Sequence, residues 1–464
     1  MTVHLVGICG TAMATLAAML QERGHVVRGS DQHVYPPMSD FLRDRGIPCH
    51  DGFDADQITD DLDLVVIGNA VSRGNPEVEA TLDRKLRYRS LPEMVRETFL
   101  WDRQSIVVAG THGKTTTASM LGWVLTDGGL DPSMLVGGVT GNFGSSYRLG
   151  EGRPFVIEGD EYDSAFFDKT AKFLKYLPDI VVLGNLEFDH ADIYADIDAI
   201  RSAVARLIQL VPRRGVLVVG ADSPVALALG AGAPCPVESV GLADGADWRA
   251  REVTAAPERT TFVVAHRGAP VAEVPLPLVG AFNVRNALAT FAVARHLGLA
   301  PDRIASALGR FRGVRRRLEI RGVVGGVTVY DDFAHHPTAV RETLAGLRAA
   351  HPDRRIWALF EPRSATACRR VFQAEFAAAF GDADEVIVGR VFRSSLPEAE
   401  RLSAPALVAG IERAGGRARH LAAVETIVDT VAREAREGDL VVVMSNGAFD
   451  GIHERLLDRL GAGR

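Results

Sequence analysis

The chain has 464 residues, of which 47% are hydrophobic and 24% charged, and this ordinary globular composition excludes low-complexity and collagen-like chains. Lysine and arginine number 52 against 59 aspartates and glutamates, so the formal net charge is −7 and gives no electrostatic reason to bind nucleic acid. No apolar run is long enough for a membrane span, no basic residue precedes the first apolar stretch, and the four cysteines form no CxxC pair, so we expect a cytoplasmic protein.

The spacing of apolar residues predicts alternating strands and helices, which is typical of an α/β fold with mostly parallel sheets. A strand at Val3–Gly7 precedes a helix at Thr11–Arg23. Further strands are predicted at Leu62–Gly68, Ser105–Ala109, Phe155–Ile157, Ile180–Gly184, Val327–Tyr330, Ile356–Phe360 and Leu440–Met444. Gly230–Ala272 is rich in Ala, Gly and Pro, and we expect short strands and loops there. At roughly 150 residues per domain, the length suggests three domains, placed at 1–102, 103–313 and 314–464.

A glycine turn follows the first predicted strand. Gly7 begins a degenerate G-x-G-x-x-G motif in which Cys9 and Ala12 replace the second and third glycines, and Asp31 lies about 20 residues further on. Taken alone, this pattern indicates a nicotinamide-dependent oxidoreductase. The alternative is that small residues such as Gly10 only allow the helix to pack closely on the strand.

The segment Gly110-Thr111-His112-Gly113-Lys114-Thr115-Thr116 has the composition of a phosphate-binding loop. It lies between the strand Ser105–Ala109 and a predicted helix at Thr117–Asp127, where backbone N–H groups and the helix N-terminus attract anions. We expect Lys114, one of only five lysines beside 47 arginines, to neutralise the β- and γ-phosphates, and Thr115 to ligate Mg²⁺. The loop is two residues shorter than G-x-x-x-x-G-K-[ST], and the alternative is a glycine-rich helix start with a solvated lysine.

Two acidic segments follow predicted strands at the edge where parallel sheets bind their ligands. Glu158 directly follows Phe155–Ile157, and His190 lies in the segment after Ile180–Gly184. Mg²⁺ prefers oxygen ligands, so Glu158 together with Thr115 is the first candidate magnesium site. His190 is a candidate ligand for a second metal ion near the transferring phosphate. The alternatives are a solvated acidic turn and a structural histidine.

Five motifs resemble the Mur ligase family in order and spacing. They are Gly110–Thr116, Glu158–Glu161, Asn185–Asp192, Gly280–Asn286 and Tyr330–Pro337. The resemblance implies three α/β domains whose mostly parallel sheets are flanked by helices, Rossmann-like at both ends and P-loop ATPase-like in the centre. It also implies an amide-forming ligase that depends on ATP and Mg²⁺ and acts on UDP-N-acetylmuramic acid derivatives.

The resemblance extends to the choice of substrates. Five segments, of which Asn185–Asp192 is already among the motifs above, look like the branch that joins UDP-N-acetylmuramate to the murein tripeptide L-alanyl-γ-D-glutamyl-meso-diaminopimelate in peptidoglycan recycling: His33–Met38, Asp160–Lys169, Asn185–Asp192, Phe360–Ser364 and Met444–Gly447. The L-alanine-adding branch shares the ATP motifs and is the alternative. A further alternative is an NTP-dependent switch protein, which hydrolyses ATP without forming an amide.

The same resemblance assigns roles to individual residues. Lys114, Glu158 and His190 would be catalytic, and no lysine follows Lys175 that could add a carbamylated metal ligand, so metal binding would rely on Thr115, Glu158 and His190. The UDP-sugar would be bound by Gly7, Gly10, Thr11, Ala12, Asp31, Asn69 and Ser72. Beyond the phosphate loop, ATP would be bound by Asn283, Arg317 and Asp331, and the acceptor by Arg363, Ser445 and Asn446. The alternatives are a helix cap for Asn283, a solvated basic patch for Arg317 and a surface position for Arg363. A hinge near residues 312–318 would let the third domain close.

Overall fold

The structure, a computed structural model, describes residues 1–189, 191, 193–392 and 396–462. Residues 1–102, all of them described, form one sheet with flanking helices. Its strands are β1 (Thr2–Val6), β2 (Val26–Asp31), β3 (Cys49–Asp51), β4 (Leu64–Ile67) and β5 (Tyr88–Ser90), and its helices are α1 (Thr11–Glu22), α2 (Met38–Asp44), α3 (Pro76–Asp83) and α4 (Leu91–Val95). The strands are all parallel in the order β3-β2-β1-β4-β5. Since the order reverses between β1 and β4, the loops after these two strands border a crevice.

A buried polar cluster fixes α3 against this sheet. Glu77 is fully buried and accepts hydrogen bonds from the hydroxyl of Ser30 at 2.5 Å and the amide of Asp54 at 3.2 Å. Its carboxylate also lies 3.0 Å from Nε2 of His4. Because a buried carboxylate is tolerated only with such partners, the cluster specifies how α3 sits on β1 and β2.

The central domain is built on a larger mixed sheet. Its described strands are β6 (Gln104–Ala109), β7 (Ser133–Leu135), β8 (Tyr147–Arg148), β9 (Pro154–Glu158), β10 (Asp163–Ala165), β11 (Asp168–Ala171), β12 (Pro178–Leu183), β13 (Val216–Gly220), β14 (Val237–Gly241), β15 (Trp248–Ala256), β16 (Arg259–His266) and β17 (Ala269–Leu276). The helices are α5 (Lys114–Asp127), α6 (Ile197–Gln209), α7 (Pro224–Gly230), α8 (Ala281–His296) and α9 (Pro301–Leu308). The sheet order is β17-β16-β15-β14-β13-β12-β6-β9-β7-β8, and β10 and β11 form a separate hairpin. Parallel pairing of β6 with both β12 and β9 brings the ends of these three strands to one edge.

The region expected to hold short strands and loops, Gly230–Ala272, instead contains most of an antiparallel extension of the sheet. β15, β16 and β17 have nine, eight and eight residues and pair as consecutive hairpins. Arg267 and Gly268 join the last two strands with φ values of +49° and +87°, as a type I′ turn requires. The expectation of short strands was wrong. Buried and less buried residues alternate along these strands, but the high content of Ala, Gly and Pro makes this alternation hard to recognise in the sequence.

The C-terminal domain repeats the α/β pattern. Its described strands are β18 (Glu319–Val324), β19 (Val327–Asp332), β20 (Ile356–Phe360), β21 (Glu385–Val388), β22 (Ala418–His420) and β23 (Leu440–Met444), and its helices are α10 (Pro337–Ala350), α11 (Gln373–Ala379), α12 (Ala404–Arg413), α13 (Val424–Glu434) and α14 (Ile452–Ala462). The strands have the order β18-β19-β23-β20-β21-β22, parallel except for the pair β18 and β19. The expected α/β class with mostly parallel sheets is therefore confirmed.

The connection into this domain is held by backbone hydrogen bonds. The amide of Gly141 donates to Gly313 O, and that of Arg315 donates to Val139 O, both at 2.9 Å. Beyond this point Arg316 and Leu318 have φ values of +60° and +51°. Movement at the expected hinge, like the three domain boundaries, stays a prediction. None of the described helices is both long enough and apolar enough to cross a membrane.

Candidate active site

The phosphate loop lies between β6 and α5, as predicted, and its backbone shape requires glycine. Gly110 has φ +123°, and a Cβ there would lie 2.9 Å from Asn185 O; Gly113 has φ +79° and packs against Oδ1 of Asn286. The amide of Thr111 donates to Asn185 O at 2.8 Å, which ties the loop to the segment after β12. Helix α5 starts at Lys114, so its N-terminus points into the loop.

Lys114 is buried at the centre of this loop. Its Nζ donates to Gly110 O and to Oε1 of Glu161, both at 2.8 Å. Burial alone would lower the pKa of Lys114, but the carboxylates of Glu161, Glu158 and Asp160 raise it above its ordinary value. The ammonium group is therefore charged at the position where a triphosphate would approach.

Thr115 and Glu158 form a pair of oxygen donors next to the loop. The hydroxyl of Thr115 donates to Oε1 of Glu158 at 2.9 Å, and the amide of Gly137 donates to the other carboxylate oxygen at 2.6 Å. A hydroxyl beside a carboxylate fits the preference of Mg²⁺ for oxygen ligands. The third expected ligand, His190, lies outside the described residues.

Of the residues outside the phosphate loop that were expected to bind ATP, two lie on elements that contact the loop, whereas contacts of the third are within its own domain. Asn283 and Asn286 share one face of α8, and the Asn286 side chain packs on Gly113. Arg317 reaches from the C-terminal domain to the loop, with Nη2 3.5 Å from Thr115 Oγ1. The carboxylate of Asp331, by contrast, contacts Arg316, Arg321 and His453 of its own domain. Its expected contact with the ATP ribose stays a prediction.

Burial lowers the pKa of the Arg317 guanidinium, although the carboxylates of Asp332 and Glu158 oppose the shift. An arginine remains protonated in such surroundings, so it is a fixed positive charge. Asp332 accepts the amides of Leu318 and Ala334 at 2.8 Å each and thereby holds the segment that carries Arg317.

All seven residues expected to bind the UDP-sugar line one cleft of the N-terminal domain, between the turn after β1 and the loop after β4: Gly7, Gly10, Thr11, Ala12, Asp31, Asn69 and Ser72. His33, Arg73 and Lys172 line the same cleft, so that it contains a guanidinium and an ammonium group, and Lys172 comes from the central domain. The carboxylate of Asp31 accepts the amide of Cys9 at 2.9 Å, which stabilises the glycine turn.

The expected acceptor residues meet at the carboxyl ends of β20 and β23. The Arg363 guanidinium lies 3.8 Å from the ring centroid of Phe392 and passes so close to Gly447 that a Cβ there would collide with it. Ser445 donates its hydroxyl to Glu361 at 2.6 Å. Oδ1 of Asn446 is buried and has no hydrogen-bond partner among the described residues, so it is available to a ligand donor.

Sequence reasoning gave no role to several charged residues that contact the site. Glu161 binds Lys114, and Glu187 lies 3.3 Å from Nε2 of His112. Burial opposes ionisation of Glu187, but hydrogen bonds from His112 and Thr338 lower its pKa to about 2. Glu161 and Glu187 both lie within the quoted motifs, and their partners are far away in sequence, which explains why spacing could not assign them.

Comparisons with known proteins show the family of the chain. Three family models match the chain: "Mur ligase family, catalytic domain" at residues 2–100, "Mur ligase middle domain" at 108–294, and "Mur ligase, glutamate ligase domain" at 316–447. The UDP-N-acetylmuramate--L-alanyl-gamma-D-glutamyl-meso-2,6-diaminoheptandioate ligase of Escherichia coli K12 is 44% identical over 99% of this chain and 98% of its own length. The UDP-N-acetylmuramate--L-alanine ligase of Salinibacter ruber is 36% identical over 96% of this chain and 92% of its own. The crystal structure of a murein peptide ligase from Psychrobacter arcticus is 37% identical, covers 99% of both chains and has a TM-score of 0.73.

Proposed function

The chain belongs to the Mur ligase family, and we propose that it uses ATP to join the lactyl carboxylate of UDP-N-acetylmuramate to the α-amine of L-alanyl-γ-D-glutamyl-meso-diaminopimelate. The observation that carries this proposal is the 44% identity, over 99% of the chain, to the Escherichia coli ligase named for these substrates. Because the reaction consumes ATP and a UDP-sugar, we place it in the cytoplasm, where recycled peptides would re-enter peptidoglycan synthesis.

A carboxylate is a poor electrophile, so the amide must form through an activated intermediate. In the first step a lactyl oxygen attacks the γ-phosphorus of ATP, the bond from this phosphorus to the β–γ bridging oxygen breaks, and ADP leaves. In the second step the α-amine attacks the carbonyl of the acyl phosphate and loses a proton, and inorganic phosphate leaves. Both steps bring negative charges together, which is why fixed cations are needed.

The phosphate loop supplies these cations. Lys114 would exchange its contact with Glu161 for oxygens of the β- and γ-phosphates, and backbone N–H groups at the start of α5 would bind the remaining oxygens. Arg317, already within 3.5 Å of Thr115 Oγ1, would stabilise the charge that develops on the transferring group.

Thr115 and Glu158 would hold Mg²⁺, and His190 remains a candidate ligand for a second ion. Bound Mg²⁺ would reduce the charge repulsion between the triphosphate and the carboxylate nucleophile. This chain's own part is to present a hydroxyl oxygen and a carboxylate oxygen 2.9 Å apart beside the phosphate loop.

The two organic substrates would approach from opposite domains. The N-terminal cleft would place the cations of Arg73 and Lys172, and the imidazole of His33, around the position expected for the UDP diphosphate. In the C-terminal domain, Arg363 would bind a carboxylate of the tripeptide, and Oδ1 of Asn446 would accept a hydrogen bond from an N–H of the peptide.

The second candidate function is the addition of L-alanine, because the Salinibacter ruber ligase named for that reaction is 36% identical over 96% of the chain. To separate the two, the full chain is incubated with UDP-N-acetylmuramate, ATP and Mg²⁺ and with either tripeptide or L-alanine, and phosphate release and product mass are followed. We expect product with the tripeptide and at most a trace with L-alanine. A tripeptide acetylated on its α-amine is the matched control and should give no product. The reverse preference would assign the chain to the L-alanine branch.

Activation of the carboxylate is tested separately by isotope transfer. UDP-N-acetylmuramate labelled with ¹⁸O in the lactyl carboxylate should transfer one labelled oxygen to the released phosphate, because phosphate leaves with an oxygen of the attacked carboxylate. Unlabelled phosphate would exclude the acyl phosphate.

A further inference from the structure

Three side chains converge where the phosphate loop meets the C-terminal domain. Nε2 of His112 lies 3.3 Å from Oε2 of Glu187, and Nδ1 of His336 lies 3.5 Å from the same oxygen. The three ligand atoms all lie within 4.8 Å of one another, and the described residues contain no second group of this kind. His112 belongs to the loop, Glu187 to the segment after β12, and His336 to the start of α10.

The hydrogen bonds around His336 determine which ring nitrogen carries its proton. Nε2 lies 3.2 Å from Phe188 O, which can only accept, so Nε2 donates. Nδ1 receives the amide of Thr338 at 3.3 Å and therefore carries a lone pair. This lone pair and the carboxylate of Glu187 face each other without a proton between them, and a cation at this point would remove the repulsion.

We propose that His112, Glu187 and His336 bind a transition-metal dication of the Zn²⁺ type, at a site distinct from the oxygen donors of Thr115 and Glu158. Two imidazole nitrogens and a carboxylate oxygen suit zinc and its neighbours, whereas Mg²⁺ prefers oxygen ligands. Tetrahedral ligands bound at about 2.0–2.1 Å lie roughly 3.3–3.4 Å apart. The separations of 3.3 and 3.5 Å from Glu187 to the two imidazoles match this geometry.

The surroundings of the site support the assignment. The Nε2–H group of His336 donates to a backbone carbonyl, which is how proteins commonly orient a metal-binding imidazole. The backbone of Glu187 is fixed by Thr111, whose hydroxyl lies 2.9 Å from its amide. Since His112 and Glu187 come from the central domain and His336 from the C-terminal domain, a bound metal cross-links the two domains beside the phosphate loop.

The direct test is metal binding by the full chain without nucleotide or substrates, so its outcome does not depend on the proposed reaction. The chain is freed of metal with a chelator and titrated with Co²⁺ in millimolar Mg²⁺. We expect one equivalent to bind with visible d–d absorption, to resist Mg²⁺, to be displaced by Zn²⁺, and to raise the thermal unfolding temperature. Absence of binding at one equivalent, or displacement by Mg²⁺, refutes the site without any variant.

Two variants then test the ligands. Glu187→Gln is isosteric, and His336→Asn keeps an acceptor suitable for capping α10 at Thr338. We expect each to weaken Co²⁺ binding at least tenfold, while His420→Gln, an exposed imidazole on β22, leaves it unchanged. Circular dichroism of the metal-free variants checks that they fold. Unchanged affinity in either variant overturns the three-ligand site.

Two thiols elsewhere in the chain could bind Co²⁺ instead of the proposed site. The sulfurs of Cys9 and Cys49 lie 3.6 Å apart in the N-terminal domain. A thiolate-to-cobalt charge-transfer band that disappears in Cys49→Ser would place the metal on these thiols and would refute the His112, Glu187 and His336 site. We expect no such band and unchanged binding in Cys49→Ser.

Discussion

The backbone at Gly113 provides a sharp test of the phosphate-loop assignment. Gly113 precedes the first residue of α5 with φ +79°, and a Cβ added there would collide with Oδ1 of Asn286. Gly113→Ala therefore combines a left-handed backbone with a steric collision. Gly129, just beyond the other end of α5, has φ +83° and no atom within 4 Å of an added Cβ, so Gly129→Ala isolates the backbone effect.

The two effects have different sizes and different readouts. A left-handed conformation costs an alanine about 1–2 kcal/mol, so both variants should lose about this much free energy of unfolding. In Gly113→Ala the loop or the Asn286 side chain must also move, and we expect the movement to displace N–H groups that would bind the phosphates. Loss of one hydrogen bond to a charged group is worth about 1.5–3 kcal/mol, which corresponds to a roughly ten- to 150-fold weaker affinity for ATP.

Calorimetric titration with a non-hydrolysable ATP analogue measures this affinity, and urea unfolding measures stability. We expect Gly113→Ala to bind the analogue at least tenfold more weakly and Gly129→Ala to bind it normally. Because the collision needs both side chains, Gly113→Ala/Asn286→Ala should lose less affinity than the sum of the two single variants. Normal affinity in Gly113→Ala, or an equal loss in Gly129→Ala, would refute the phosphate-loop assignment.

Four further predictions address other parts of the molecule. Lys114→Ala should abolish ATP-dependent ligation without changing the circular dichroism spectrum, and near-normal product formation would remove Lys114 from the site. Thr115→Ala and Glu158→Gln should each raise the Mg²⁺ concentration for half-maximal rate about tenfold, a loss of about 1.4 kcal/mol in binding; superimposable Mg²⁺ titrations would count against both ligands. Arg363→Ala should raise the KM for tripeptide about tenfold more than the KM for ATP, since a hydrogen bond to a charged group is worth about 1.5–3 kcal/mol; equal increases would place it outside the acceptor pocket. Glu77→Ala should lower the free energy of unfolding by about 3–5 kcal/mol in urea, because its buried polar partners lose their acceptor; a change below about 1 kcal/mol would contradict that estimate.

The strands near the site could be predicted because they are short apolar runs bounded by turns. Ile356–Phe360 and Leu440–Met444 have the predicted bounds, and every residue in both is buried. Helix α5 begins at Lys114, three residues before the predicted start at Thr117, since the end of the phosphate loop already has helical geometry. The hairpins β15 to β17 were missed because their turns and small residues outweighed a weak alternation of buried and exposed positions.

Without the family resemblance, the candidate site could be predicted only where it depends on strand ends of one sheet, and not where it depends on packing between domains. The turn after β1 and the loop after β4 meet because the strands are adjacent and parallel, which brings Gly7 and Asn69 into one cleft. Arg317 was assigned by the resemblance alone, because no local pattern indicates that it approaches Thr115 across 202 positions or that Lys172 enters the N-terminal cleft from the central domain. Such contacts depend on how the folded domains pack against one another.

The rarity of lysine shows what a compositional signal can and cannot identify. Four of the five lysines form ion pairs with carboxylates between residues 160 and 168: Lys114 with Glu161, Lys169 with Asp163, Lys172 with Asp160, and Lys175 with Asp168. Rarity therefore indicates a group of lysines paired with this acidic segment, and only the loop position distinguishes Lys114, because the Lys172 side chain is equally buried.

The pairing of these lysines also connects the N-terminal cleft with the phosphate loop. Asp160 and Glu161 are consecutive, and one binds Lys172 of the N-terminal cleft while the other binds Lys114 of the phosphate loop. Burial raises the pKa of Asp160, but Lys172 and Lys114 outweigh this effect and lower it, so the carboxylate remains charged. A lysine ammonium has three donors on a flexible chain and can change partners, whereas a bidentate arginine pair is held by its geometry. Lysine therefore suits a position where the ammonium would leave a protein carboxylate for a substrate phosphate, and the acidic segment keeps the Lys114 ammonium charged in the absence of substrate.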